Sequence, residues 1–344
     1  MAPTGPAETT EAAALARRAG LKYLPDDRPG IRRQRRGKGF SYTRSGDRPV
    51  SARERERVRS LVIPPAWRDV WIAPEPDAHL LATGFDEMGR KQYLYHADWR
   101  QAADAAKFVR LGAFGRALTK LRRRVADDIA SKSPERVCAA AVLLVDETLI
   151  RPGSRRHYRT MASVGATTLQ AKHVDVKRDL VVLDFVGKGG AEQHLEVRDR
   201  VLARALSDLI DEGHGSTLFT TEDGDTIDES LLNGYIERNA GPGFTAKDLR
   251  TWGATSTVVG ELGPFQAGAD STEKALEAVV REAIETAAEA LGNTPTVCRA
   301  SYVAPSAIES FMSGALAGHW QASRAGKWLS RAERATERVL AGEP

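Results

Sequence analysis

Residues 133–153, SPERVCAAAVLLVDETLIRPG, decide how the chain divides. Ser133 and Pro134 are good N-cap and first-turn residues. The apolar run VCAAAVLLV follows at 137–145, and Pro152 and Gly153 cannot easily continue a helix. A helix ending at Arg151 is therefore expected, with that arginine at its boundary. The run is far below the roughly 20 residues needed to cross a bilayer. Upstream, AADAAKFVRLGAFGRALTKLRRRVADDIA also reads as helix, so helices take over after about residue 104.

On the amino-terminal side the pattern is strand-like. GFSYTR, VWIAP and HLLATGFDEMGRKQYLYH predict a small antiparallel sheet, with DEMG as turn residues and a helix at SARERERVRSLV. Residues 1 to about 20, rich in Ala, Thr, Pro and Glu, read as a mobile tail running into a short helix at LARRAGLKYL. On the carboxy-terminal side TTLQAKHVDV and DLVVLDFVGKGGAEQHLEV return to strands, with VGKGGA as a hairpin tip. Helices then resume, including FTAKDLRTWGATSTVV, where Thr245 and Asp248 have capping-box spacing. Leu276, Val280, Ala283, Ile284, Ala287 and Leu291 form a core-facing stripe. The fold class expected is α+β: a flexible tail (1–21), a small basic domain with an antiparallel sheet (22–104), and a larger, mainly helical domain with a small sheet (105–344).

The net charge of 344 residues is only +4, yet residues 31–60 hold 11 Lys/Arg against 3 Asp/Glu, so the basic character is concentrated there. Guanidinium forks match phosphate oxygens and neutralised phosphates release counterions, so such a segment suits a nucleic acid before a membrane. A solvated face or a disordered arm is the ordinary alternative. The two cysteines, Cys138 and Cys298, have neither disulfide-framework nor zinc-site spacing, which fits a reducing, cytoplasmic setting. The opening residues lack the apolar core of a signal peptide. The seven histidines are scattered and predict no metal site. GKGG at 187–190 lacks the flanking residues of a phosphate-binding loop, so no nucleotide cofactor is expected.

Arg151, Lys188, Arg250 and Asn293 each fall at an element boundary, where side chains can converge on a ligand. Each has an ordinary reading too. Arg151 would cap helix carbonyls, Lys188 would be a turn lysine, Arg250 a surface charge and Asn293 a helix N-cap. In LGNTPTVCRASYVAP, 291–305, Thr294 and Pro295 start a short helix and Pro305 limits its far end. This framed element carries Tyr302, with Cys298 and Arg299 read as packing or backbone-contact residues.

In order along the chain, LIRPG, DFVGKGG, KDLRTWGAT and LGNTPTVCRASYVAP resemble the active-site motifs of type IB DNA topoisomerases, especially the compact poxvirus-like enzymes found also in bacteria. KQYLYH at 91–96 is similar to the family's Gln-Tyr-x-Tyr element, and the resemblance covers about residue 36 onward. It implies a catalytic set of Arg151, Lys188, Arg250, Asn293 and the nucleophile Tyr302, with Lys247 as accessory lysine. It also implies DNA contacts by Gln92, Tyr93 and Tyr95, to which the basic run adds Arg32, Arg33, Arg35 and Arg36. Tyr93 and Tyr95 are, apart from the resemblance, ordinary alternating strand residues. Many members have histidine where Asn293 stands. RPGSRRHY is one residue longer than the poxvirus pattern, so no roles are carried over from Ser154 to Tyr158.

The implied activity is nicking of one strand of double-stranded DNA through a 3′-phosphotyrosyl enzyme, rotation that relaxes positive or negative supercoils, and resealing. It requires neither cofactor nor metal and is carried out by a monomer, nucleoid-associated in a bacterium. A tyrosine recombinase shares this chemistry but typically has histidine where Lys247 stands. A non-enzymatic DNA architectural protein with a core tyrosine is the alternative from another class.

Overall fold

The computed structural model describes residues 6–37, 39–46, 48–265 and 272–342. The chain separates into two compact units, Met1–Lys107 and Phe108–Pro344.

In the first unit, helix α1 (Pro6–Arg18) occupies much of the segment read as a tail, while residues 1–5 lie outside those described. Strands β1 (Ile31–Arg36), β2 (Gly39–Arg44) and β3 (Arg48–Pro49) precede helix α2 (Ala52–Ser60). Strands β4 (Arg68–Ile72), β5 (Leu80–Phe85) and β6 (Lys91–Tyr95) complete one antiparallel sheet, ordered β3-β2-β1-β4-β5-β6. Ser51 starts α2 with a capping box, its side chain accepting from the Glu54 amide while Glu54 accepts from the Ser51 amide.

Alternation along the strands gives this sheet two apolar faces. Ile31, Val70, Ile72 and Ala82 pack with Val58 of α2, and Leu94 lies against them. Trp71, Ala73 and Leu80 form the other cluster, with Leu24, Tyr93 and Tyr95 against it. The 22–30 segment is bound to this second face: Leu24 N–H donates to His79 Nδ1 at 3.0 Å, Trp71 Nε1 to the Arg28 carbonyl at 2.9 Å, and Thr83 Oγ1 to Asp26 at 2.8 Å.

The basic run is therefore not a disordered arm. Only Ile31 and Arg32 of β1 pair with β4, whereas all six of its residues pair with β2, so the remainder is a two-stranded ribbon reaching past the sheet.

The second unit starts within helix α3 (Ala97–Ala130) and continues through α4 (Arg136–Thr148) and α5 (Arg155–Met161). A three-stranded antiparallel sheet follows, β7 (Val174–Lys177), β8 (Leu180–Val186) and β9 (Glu192–Arg198), then helices α6 (Arg200–Glu212), α7 (Glu229–Ala240) and α8 (Ala246–Leu262). Helices α9 (Glu273–Leu291), α10 (Pro295–Ser301), α11 (Pro305–Met312), α12 (Ala315–Ala322) and α13 (Arg331–Ala341) close the chain. The expected α+β class is observed. Among the described residues no helix is long and apolar enough to cross a membrane.

The helix after Ser133 departs from expectation at both ends. Its N-cap is Glu135, and the Ser133 hydroxyl instead donates to Asp128. It stops at Thr148, because Leu149 takes the left-handed conformation at φ 54°. Tertiary contacts hold that turn. The Leu149 carbonyl accepts from Arg250 Nε at 2.6 Å, and its side chain fills the space beside Gly253, where a methyl group would lie 2.3 Å from Leu149 Cδ2.

Two cores meet along α8. Leu249 and Trp252 belong to one, together with Ile150 and Ala304; Ala254, Val258 and Val259 belong to the other, together with Leu149, Leu291, Cys298 and Val303. The seam between them runs past Arg250.

Candidate active site

Arg250 is 4% exposed, so its guanidinium is desolvated and needs a partner for each nitrogen. Nε donates to the Leu149 carbonyl, Nη2 to the Leu291 carbonyl at 2.9 Å, and Nη1 to the Tyr302 hydroxyl at 3.1 Å. The guanidinium also stands over the Tyr302 ring, 5.0 Å from its centroid. Burial lowers its pKa; the Tyr302 phenol opposes that shift, while the Arg151 charge adds to it. Arginine remains cationic in proteins even so. The reading of Arg250 as a surface charge is overturned.

Leu291 ends α9 and Gly292 follows in the left-handed conformation at φ 58°. Arg151 Nη2 donates to the Gly292 carbonyl at 2.9 Å and to Asn293 Oδ1. Arg151 and Arg250 thus both sit at the carboxy-terminal end of α9, where carbonyls lack intrahelical donors and the helix dipole favours cations. Arg151 does bind a carbonyl at a helix end, as its ordinary reading proposed, but at the end of α9 rather than of its own helix. Its backbone is fixed as well, the carbonyls of Arg151 and Pro152 accepting from the amides of Ala166 and Thr167 at 2.9 and 2.8 Å.

Asn293 is not the N-cap of α10. Thr294 takes that place, its hydroxyl accepting from the Val297 amide, with Pro295 in the first turn. Since Asn293 Oδ1 faces Arg151, its Nδ2 points elsewhere; it is buried and has no hydrogen-bond partner. An unsatisfied buried donor costs on the order of 1–3 kcal/mol. Such a group, on a side chain that also binds the Arg151 guanidinium, is available to donate to an anion.

Tyr302 is the C-cap of α10 and half-buried. Its amide donates to the Cys298 carbonyl at 2.8 Å, and its carbonyl accepts from Thr255 Oγ1 at 3.0 Å. The same hydroxyl oxygen accepts from the Ala304 amide at 3.2 Å, so Thr255 spans the backbone on either side of Val303. Thr255 lies within KDLRTWGAT, yet a threonine on a helix carries no sequence signal for this task. Leu149 and Gly292, which present carbonyls to the arginines, were equally unmarked. Cys298 is fully buried beneath the tyrosine turn, and burial raises its thiol to about 11, so it packs as a small apolar residue.

Arg151, Arg250, Asn293 and Tyr302 thus converge. Lys188 and Lys247 are exposed and are not hydrogen-bonded to this group. Lys188 begins the turn joining β8 to β9, followed by Gly189 and Gly190 at φ 80° and 79°. Lys247 lies in the first turn of α8, which is opened by the Thr245 hydroxyl and amide donating to Asp248.

The DNA-contact residues expected in the first unit divide between the two faces of its sheet. Register runs Arg32↔Trp71↔Thr83↔Tyr93, so Arg32 and Arg36 share a face with Tyr93 and Tyr95. Gln92 lies on the other face, with Arg33 and Arg35. Tyr93 and Tyr95 stack at 5.9 Å and lie half-buried against their cluster. Gln92 donates to Asp86 at 2.8 Å. Arg33 is fully engaged, donating to the Ile63, Pro64 and Trp67 carbonyls and stacking on Phe40 at 4.2 Å. Arg32, Arg35 and Arg36 are exposed.

A buried arginine on a tyrosine hydroxyl, with a half-buried arginine and an orphan amide on the adjoining turn, offers donors to an anion, and similarity to known proteins gives the class of the chain. Residues 96–324 match the family described as eukaryotic DNA topoisomerase I, catalytic core, and residues 39–86 match the bacterial DNA topoisomerase IB N-terminal domain. DNA topoisomerase 1B of Acanthamoeba polyphaga mimivirus is 30% identical, over 82% of this chain and 87% of its own length. DNA topoisomerase 1B of Vaccinia virus (strain Copenhagen) is 26% identical, over 67% and 72%. The DNA topoisomerase 1 of Drosophila melanogaster is 26% identical over 46% of this chain and 17% of its own length. The chain belongs to the type IB DNA topoisomerase family. It is a DNA-binding isomerase with that family's core fold.

Proposed function

We propose that the chain relaxes supercoiled double-stranded DNA through a 3′-phosphotyrosyl intermediate, with Tyr302 as nucleophile. The observation that carries this reading is the Arg250 guanidinium, which donates to the Tyr302 hydroxyl from a position fixed by two backbone carbonyls. A phenol has an ordinary pKa of about 10. Adjacent cations favour its phenolate and the phosphoryl negative charge that develops as it attacks. Arg151, Arg250 and the free Asn293 Nδ2 serve the non-bridging oxygens.

In the cleavage step the bond from phosphorus to the Tyr302 oxygen forms as the bond to the 5′ oxygen breaks. The phenol proton leaves to water, and the Lys188 ammonium supplies a proton to the departing 5′ oxygen. Lys247 helps to orient or relay that proton. Resealing is the reverse attack by the 5′ hydroxyl. The phosphotyrosyl link preserves the phosphodiester bond energy, so ATP is not required, and the fixed cations supply the charge stabilisation without a metal.

Between the two steps the duplex rotates about its intact strand, relieving supercoils of either sign. The amino-terminal domain, 22–104, grips duplex DNA through Arg32, Arg35, Arg36 and the Gln92, Tyr93 and Tyr95 element, and 105–344 form the catalytic domain. The protein acts as a monomer in the cytoplasm.

Incubation with supercoiled plasmid in EDTA without ATP tests this. Wild type is expected to relax it, whereas Tyr302→Phe is expected to bind without relaxing. Wild type that binds but does not relax ends the enzyme reading, and a relaxing Tyr302→Phe ends the nucleophile assignment.

A further inference from the structure

Lys188 stands on an exposed glycine turn, yet a general acid has to meet one particular oxygen. The base of its hairpin is held where the turn begins: the Val186 carbonyl accepts from the Val164 amide and the Gly187 amide donates to the Ala191 carbonyl, at 2.9 and 2.8 Å. On β9, Leu195 and Val197 point toward the core, and Gln193 is in phase with them, directly opposite the buried Phe185. A polar residue therefore holds the last inward position before the turn, where the strand pattern calls for an apolar one.

The surroundings of Gln193 explain the exception. A methyl group on Gly292 would lie 2.6 Å from Gln193 Oε1 and 3.6 Å from Arg151 Nη1. On the other side, a methyl group on Gly187 would lie 3.1 Å from Gln193 Cγ. The side chain is thus flanked by two glycines: Gly187, immediately before Lys188, and Gly292, whose carbonyl binds Arg151 and whose neighbour is Asn293. Its Nε2 donates to the Glu192 carbonyl at 3.0 Å, which fixes the amide's orientation.

We infer that Gln193 is a positioning residue for Lys188, docking the base of the hairpin against the Arg151 and Asn293 corner so that the turn lysine reaches the departing 5′ oxygen. This rests on the general-acid role proposed for Lys188. It predicts that losing Gln193 harms only the protonation step, as losing Lys188 does, and that the two effects do not add.

The test measures single-turnover cleavage of an ordinary duplex and of one whose scissile 5′ oxygen is replaced by sulfur, a leaving group that needs no proton. Gln193→Ala is expected to slow ordinary cleavage about tenfold to a hundredfold, within the range of a weakened general acid. Sulfur-substituted cleavage should stay at the wild-type rate, and Lys188→Ala/Gln193→Ala should cleave no more slowly than Lys188→Ala. Equal slowing of both substrates, additive effects in the double variant, or unchanged ordinary cleavage would overturn the inference. A thermal melt of Gln193→Ala separates these outcomes from unfolding. If Lys188→Ala itself shows no sulfur rescue while wild type cleaves, the general-acid reading has failed instead.

Discussion

The arginines of the two units carry the same charge in opposite circumstances. In the second unit Arg250 is buried and every nitrogen is committed, two to carbonyls and one to Tyr302. In the first, Arg32, Arg35 and Arg36 stand exposed on a strand. A buried, fixed cation needs no reorganisation as charge develops on a bound group. An exposed one adapts to a phosphate backbone and is screened by salt. Arg33, half-buried, belongs with the fixed kind although its neighbours in sequence are exposed, because three carbonyls hold it.

The largest effect follows from removing the fixed cation. Arg250→Ala is expected to lower single-turnover cleavage by about 10³-fold or more, beyond the effect of a single oxyanion donor, with little change in duplex affinity. An equal drop in affinity would mean that Arg250 acts in binding, as the exposed arginines do. Lys188→Ala comes next, with cleavage slowed by about 10²- to 10⁴-fold and restored by a sulfur leaving group. Without that restoration the lysine is not the acid.

Smaller changes separate the two kinds of arginine within β1. Arg32→Ala with Arg36→Ala should weaken duplex binding and make its salt dependence shallower by about 0.9 for each phosphate no longer neutralised. Arg33→Ala should leave that slope unchanged but destabilise the amino-terminal unit by about 1–3 kcal/mol, since it strands carbonyl groups. A changed slope for Arg33→Ala would move it to the binding set. Asn293→His should retain activity, because either side chain donates one hydrogen bond to a phosphate oxygen; inactivation would show that the corner beside Arg151 does not admit the ring.

A separate effect is one of pH on the amino-terminal unit. His79 is 4% exposed, and burial, only partly opposed by a backbone hydrogen bond, lowers its pKa from 6.5 to about 4. Between those values the unfolded chain binds more protons than the folded one, so stability falls as pH drops through that window. The decrease is at most about 3 kcal/mol at the acid end. Melts of wild type and His79→Gln from pH 7 to 4 check this, the glutamine retaining an acceptor for the Leu24 amide. Parallel curves would remove His79 as the cause.

Most of the fold was legible because its signals are local. Alternation placed the strands, and the Gly-rich tip, the capping box at Thr245 and the Pro295 start all lie where short-range chemistry puts them. The site was legible as an ordered set of motifs, but its geometry was not. Leu149 adopts a left-handed turn that its sequence does not announce, since the stabilising partners, Arg250 and Gly253, lie a hundred residues on. The basic run reads by composition as an arm, yet its pairing with β2 makes it a ribbon.

Sequence by itself determined which groups this protein has available: a framed tyrosine, two boundary arginines, a turn lysine and a basic run. Tertiary structure alone decided which of them act on one another. Carbonyls left without donors at the end of α9 draw Arg151 and Arg250 together, and the second of these meets the Tyr302 hydroxyl. Buried carbonyls demand partners wherever the fold puts them, and the partners they take here come from segments far apart in the chain.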